Sequence, residues 1–219
     1  MPNLLSDIED WVIDECYQIS DEDQEILNNT PITEAKQWKN KIYKPLKDRF
    51  RNYYYEKQNG RCAYCRLLIN RGTGNVEIEH IIDKNRRLDF VFESKNLVVS
   101  CHNCNFSKKT SKVMHNCPPE NDYPTNSDNF KIIHGHYDKY SHHIKFIEKS
   151  IYQAITDEGE FTIDKCSLDR IGLAEQRETV NMYENDPLIA DVIGIRNSDK
   201  KNDKIDELIN KLKALKDDN

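Results

Sequence analysis

Two cysteine pairs, Cys62-Ala-Tyr-Cys65 and Cys101-His-Asn-Cys104, stand with 35 residues between them. A CxxC turn points two sulfurs the same way, and two such turns supply four thiolates to one tetrahedral zinc. Zinc held in this way deprotonates its thiols and adds directly to the free energy of folding. Four unrelated free cysteines and a dithiol redox motif are the competing readings, and two copies flanking a histidine segment fit neither. Cys16, Cys117 and Cys166 have no partner pattern and read as ordinary thiols. His102, inside the second pair, is a poorer substitute for a thiolate.

Between the pairs lies Val76-Glu-Ile-Glu-His-Ile-Ile-Asp-Lys84, followed by Asn96-Leu-Val-Val-Ser-Cys-His-Asn-Cys-Asn105 and Ser107-Lys-Lys109. Hydrolysis of a phosphodiester needs a base for water, a cation for the charge on phosphorus, and cationic groups for the backbone. The oxygen of Glu79 suits a hard ion, Mg2+ or Mn2+. The imidazole of His80, neutral near pH 7, suits proton abstraction. On a strand these two neighbours face opposite sides; at a strand end they can flank one phosphate.

Periodicity supplies the elements that must position these residues. Leu5, Ile8, Val12, Ile13, Cys16 and Ile19 predict an acidic amphipathic helix over Leu4–Ile19. Thr30-Pro31 marks a second helix start running to Trp38. Leu46–Gln58 reads as a basic helix stopped by Asn59-Gly60. Short strands are expected at Leu67–Asn70, Val76–Ile82 and Asn96–Ser100, with a helix beginning near Asn105. Asn116–Asn129 holds Pro118, Pro119 and Pro124 and reads as a loop. Lys131–Ile133 and Phe161–Ile163 are further strand candidates, and Leu168–Tyr183 and Asp203–Lys216 further helices. The expected fold class is therefore α+β. Its parts are an acidic helical extension over 1–40, a zinc-stapled core over 41–115, and a mostly helical region over 116–219.

The net charge of −6 hides a segregation. Residues 1–35 carry ten acids and no base, residues 36–113 carry 18 Lys or Arg against 7 acids, and residues 114–219 carry 14 bases against 21 acids. A basic block inside an acidic chain is the footprint of a polyanion-binding surface, here nucleic acid. Lys44, Lys47, Arg49, Arg51 and Lys57 on the basic helix are candidates for backbone contact, as are Lys84, Arg86, Arg87, Lys108 and Lys109. Tyr53, Tyr54 and Tyr55 are candidates for base stacking, although on a helix they face different ways. The mean hydropathy of −0.84 and the lack of any long apolar run exclude a membrane span. The first ten residues lack a signal peptide's basic start and apolar stretch, which points to the cytoplasm and to reduced thiols.

On these residues the segment 60–109 resembles an HNH nuclease motif of the type with interleaved zinc knuckles. The matching features are Cys62 and Cys65, Glu79-His80, Asn96-Leu97, Cys101 and Cys104, Asn105 and Lys108. The resemblance implies a ββα-metal core of hairpin and helix around one catalytic cation. It implies Glu79 and Asn105 as ligands of that cation and His80 as general base. Asn96 would brace the loop that orients the histidine, and Lys108 would meet phosphate. Asn105 stands in place of the last histidine of the motif's name. The chain departs from the family in having Asp83 where Pro is usual and Glu79 where Asp is most frequent. The overall arrangement is similar to small HNH subunits of bacterial antiphage systems, such as the Septu-type nuclease subunit that works beside an ATPase. That likeness rests on size, the N-terminal extension and the C-terminal helical tail.

The expected function is metal-dependent endonucleolysis of nucleic acid, DNA before RNA, in antiviral defence and with an ATPase partner. The alternative is a non-catalytic zinc module that binds nucleic acid or protein. A histidine-rich stretch, with His134, His136 and Asp138, reads either as a second metal site or as a turn packed over the core.

Overall fold

The computed structural model describes residues 10–73, 75–184, 205–210 and 213. The chain divides into two compact units. One comprises residues 1–147 and 152–170, the other residues 148–151 and 171–219. The boundary expected at 115/116 falls inside the first unit.

Ser20 starts helix α1 (Asp21–Asn29): its side chain accepts from the Asp23 amide, and three acids fill the first turn. Helix α2 (Lys44–Lys57) carries Pro45 in its first turn, where the missing N–H costs nothing. Leu46, Phe50 and Tyr54, four apart, form its buried stripe. They lie against an antiparallel hairpin of β1 (Val76–His80) and β2 (Leu97–Cys101), in register from Val76 opposite Cys101 to His80 opposite Leu97. Helix α3 (His102–Lys108) follows β2 without a gap and packs on both strands. A second hairpin, β3 (Ile144–Ile147) and β4 (Ile151–Ala154), precedes α4 (Asp157–Cys166), which packs on α3. The second unit contains α5 (Ile171–Glu184) and the helical residues 205–210 and 213.

Helix α2 stops as expected, with Asn59 and Gly60 both at positive φ. A Cβ on Gly60 would sit 2.9 Å from the Tyr55 hydroxyl, so the sharp exit into Cys62 requires glycine there. The free edge of β2 is closed by side chains as well as backbone. The Gln58 amide donates to the Val99 carbonyl and accepts the Val99 N–H, at 2.8 and 2.7 Å. His136 Nε2 caps the Leu97 carbonyl at 2.9 Å. These contacts satisfy polar groups that an open edge would leave bare.

Several expected elements are absent. Residues 10–19 are not helical. The Ile13 amide instead donates to the Gly135 carbonyl at 2.9 Å, and Tyr17 N–H donates to the Tyr54 hydroxyl. These long-range bonds outcompete a weak local helix; Leu4–Glu9 lies outside the described residues. The stretch from Ala35 to Lys39 forms only a 3-10 turn. Leu67–Asn70 and Lys131–Ile133 are not strands; single bridges join Arg61 to Leu68 and Met114 to Phe130. Phe161–Ile163 is helical, because Thr156 caps α4 and Asp157, Glu158 and Glu160 load its first turn. Residues 116–156 hold a hairpin and short 3-10 turns, and the loop expected over Asn116–Asn129 contains only the 3-10 turn Ser127–Asn129.

Candidate metal centre and hairpin–helix seam

The first cysteine clip is a turn built by backbone. The Cys62 amide donates to the Leu67 carbonyl, Arg66 N–H closes onto the Cys62 carbonyl at 3.1 Å, and Arg66 adopts a positive φ. Ala63 N–H donates to the Val99 carbonyl at 3.0 Å, which pins the clip to β2. The second clip spans the end of β2 and the first turn of α3. All four sulfurs lie within 4.8 Å of one another, and Cys65 and Cys101 Sγ are 3.9 Å apart. Tetrahedral zinc with bonds of about 2.3 Å needs sulfurs roughly 3.8 Å apart, and a disulfide needs about 2.05 Å. The cluster therefore fits a metal such as zinc and not a disulfide; all seven cysteines are free.

Burial pushes the Cys62 thiol up, while hydrogen bonds from its sulfur neighbours pull Cys101 down. Arg170 reaches Cys104 Sγ at 3.7 Å and gives that sulfur cationic support. Tyr152 donates to the Cys65 carbonyl and Tyr140 to the Tyr64 carbonyl, at 2.5 and 2.7 Å. Tyr140, Tyr152 and Arg170 thus brace the clips from 76, 87 and 66 positions away, with no local sequence signal that could have announced it.

His80 ends β1 and is 3% exposed. Its Nε2 faces the Val91 carbonyl at 3.1 Å. A carbonyl only accepts, so Nε2 carries the proton and Nδ1 the lone pair. Burial lowers the imidazole to about 3, with Lys84 adding to the effect, so the ring is neutral at pH 7. Trp38 packs edge-on against it at 4.7 Å between centroids.

Asn96 precedes Leu97, the register partner of this histidine, and is fully buried. Its Oδ1 accepts the Ile82 amide at 2.7 Å, and its Nδ2 donates to the Ile82 and Phe90 carbonyls, both at 3.0 Å. One side chain thereby clasps both ends of the loop that carries Val91. Tyr123, missed from sequence, donates its hydroxyl toward Asn96 Oδ1 at 3.3 Å and lies 2.9 Å from His134 Nε2.

Glu77 and Glu79 alternate onto the other face of β1, toward α3. Glu79 is buried, its carboxylate 2.5 Å from the Lys108 ammonium and accepting the Tyr64 hydroxyl at 3.2 Å. Burial raises its pKa against the opposing pull of Lys108. Lys108 also donates to the His80 carbonyl at 3.0 Å and is 1% exposed. It is an internal cation here and not the surface phosphate contact expected of it.

Asn105 does not meet Glu79. Its Nδ2 donates to Glu77 Oε2 at 2.6 Å, and His102 Nδ1 donates to Glu77 Oε1 at 2.7 Å. The hydrogen bond to Glu77 raises the His102 pKa. The ligand pair expected for a catalytic cation, Glu79 with Asn105, is thus held by two different sets of partners. Glu77 was not singled out in the sequence, although period-two alternation from Glu79 marks it.

The other expected contacts divide. Arg86, Lys109 and, in part, Lys84 are exposed. Arg87 is turned inward onto Asp89 and the Pro118 and Pro119 carbonyls. On α2, Lys44 and Arg51 pair with Asp48, Lys47 donates to the Trp38 carbonyl, Arg49 pairs with buried Asp23, and Lys57 pairs with Glu15. Asp14, Glu15 and Asp23 of the acidic stretch therefore lie along α2 and offset part of its charge. Tyr54 is core, while Tyr53 and Tyr55 donate to the Glu15 and Ile69 carbonyls, so none is poised to stack a base. Phe106, 64% exposed with Lys109 5.0 Å from its ring, is the exposed aromatic of α3 that sequence reading missed.

His134, His136 and Asp138 form the packed turn and not a second metal site. His134 Nδ1 accepts the His136 amide, Asp138 accepts the His134 amide at 2.6 Å, and His136 caps β2. Among the described residues, the four cysteines are the one cluster of three or more His, Cys, Asp or Glu able to share an ion. No helix of the described residues is long and apolar enough to cross a membrane.

Comparison with family models, curated proteins and solved structures returns no match. The functional reading therefore rests on the site alone.

Proposed function

We propose that this chain is an HNH-type endonuclease that hydrolyses nucleic-acid phosphodiesters, DNA in preference to RNA. The observation that carries the reading is His80: a neutral imidazole at the end of β1, its proton fixed on Nε2 by the Val91 carbonyl, on a hairpin and helix joined by a four-cysteine clip. In this reading Nδ1 of His80 takes the proton of the attacking water. Asn96 holds the loop that sets the ring's direction. Exposed Arg86 and Lys109 hold the backbone, and Phe106 offers a face to a base. Zinc on Cys62, Cys65, Cys101 and Cys104 keeps hairpin and helix together. A divalent cation, Mg2+ or Mn2+, supplies charge stabilisation at the phosphate when bound. Glu79 and Asn105 do not fit that cation in this arrangement, because Lys108 and Glu77 hold them.

A base of pKa about 3 accepts protons poorly, and Trp38 covers it. In this reading the arrangement is a resting form, and Trp38 moves before water reaches the ring. Antiviral defence beside an ATPase is the setting that the chain's size and extensions suggest; co-elution with a candidate ATPase tests it.

The second reading, a non-catalytic zinc module, is favoured by the buried Glu79–Lys108 pair, which closes the seam beneath Glu77. Nicking of supercoiled plasmid with Mg2+ or Mn2+ decides between them. We expect nicking by wild type and a loss of about a hundredfold or more in His80→Ala. Equal cutting by the variant would remove His80 from the role of base. A zinc-replete wild type that binds DNA and never cuts it would favour the module.

A further inference from the structure

We propose that the divalent cation of this protein binds at the outer end of the seam, on Glu77, Asn105 and His102, above a permanent Glu79–Lys108 ion pair. The inference rests on the reading that the hairpin–helix seam binds such a cation, and it reassigns the ligands.

Three side chains already converge there. Asn105 Nδ2 and His102 Nδ1 approach the two oxygens of one carboxylate at 2.6 and 2.7 Å. The Glu77 side chain is 34% exposed and that of His102 59%, so an ion can enter from solvent. Half a turn of the Asn105 amide exchanges its N–H for its carbonyl oxygen and presents Oδ1 beside Glu77, a rotation that costs only the present hydrogen bond. Ser100 stands directly opposite Glu77 in the register and therefore on the same face of the sheet. It is fully buried, and its hydroxyl has no hydrogen-bond partner. A buried hydroxyl without a partner, opposite a carboxylate that an amide and an imidazole already reach, offers a further oxygen on that face.

Glu79 is excluded on charge. An ion on Glu79 would take from a buried ammonium the carboxylate that neutralises it, leaving it only the His80 carbonyl of its present two partners. One imidazole nitrogen with two or three oxygens lies between the preferences of Mg2+ and of zinc, and suits Mn2+ best.

The test is Mn2+ binding to zinc-replete protein, followed by loss of the free-ion electron paramagnetic resonance signal, with zinc content measured for every variant. Glu77→Gln and Asn105→Ala are expected to weaken Mn2+ binding at least about tenfold, and Glu79→Gln to leave it within about twofold. Because Glu79→Gln strands Lys108, the double variant Glu79→Gln/Lys108→Met is the second probe, with the same expectation. Loss of Mn2+ binding in that double variant, with Glu77→Gln unaffected, overturns the proposal. So does a zinc-replete wild type that binds no Mn2+. A protein that binds Mn2+ through Glu77 yet cuts nothing supports the site and sinks the nuclease reading instead.

Discussion

The two ends of the α3 seam follow different rules. At the clip, four sulfurs meet each other. At the seam, hard donors meet whatever nearby hydrogen or cation satisfies them: Glu79 takes Lys108 and Tyr64, and Glu77 takes Asn105 and His102. Thiols form weak hydrogen bonds, so backbone turns alone can hold them at metal distance. Carboxylates and amides form strong ones, and their geometry reports their current partners. A sulfur site is therefore recognisable by shape, whereas an oxygen site must be found by asking which of its bonds are replaceable.

The contrast can be broken at the clip first. Structural zinc contributes on the order of 10 kcal/mol, comparable to a whole domain's stability. Cys104→Ser, or a strong chelator, should abolish the cooperative melt and release the zinc; an unchanged melting curve would show the clip to be ornamental. Within the seam, Glu79→Gln leaves a buried ammonium unpaired and should cost about 3–5 kcal/mol by urea unfolding. Glu77→Gln, at a half-exposed carboxylate, should cost less than about 1 kcal/mol. Equal costs would erase the distinction between the two glutamates.

Acid sharpens the comparison away from both the clip and the seam. Burial lowers His134 well below its ordinary value and His136 to about 4. The unfolded chain then binds more protons than the folded one, so stability is complete above pH 6.5 and is lost as pH falls toward 4. Between pH 7.5 and 5 the loss attributable to His136 is about 2 kcal/mol, read as a lower urea midpoint. His136→Gln, which can still donate to the Leu97 carbonyl, should flatten that slope. The smallest effect is expected at the cover of His80. An edge-to-face aromatic contact is worth about 1 kcal/mol, so Trp38→Ala should raise plasmid nicking about fivefold. A slower variant would make Trp38 part of the working site.

The parts of this seam that were legible in sequence are those set by local rules. Paired CxxC spacing located the clip, Asn59-Gly60 located the end of α2, and the apolar pattern located β1 and β2 to within two residues. Lys108 was misread because lysine is normally a surface residue, whereas its position three after Asn105 turns it inward. Residues 10–19 were misread because their amides bond to Gly135 and Tyr54, partners far along the chain. Arg170 and Tyr123 reach Cys104 and Asn96 across 66 and 27 positions, and no window of sequence contains both members of either pair.

The bracing of the first clip by Tyr140 and Tyr152, and of the second by Arg170, also sets an order in time. A ribosome adds about 5–20 residues per second, so Cys65 emerges roughly 5 to 20 s before Arg170. Throughout that interval the nascent segment has its histidine but not the struts that hold the metal turn. The two cysteine clips of a newborn copy consequently lack these distant supports until residue 170 has been synthesised.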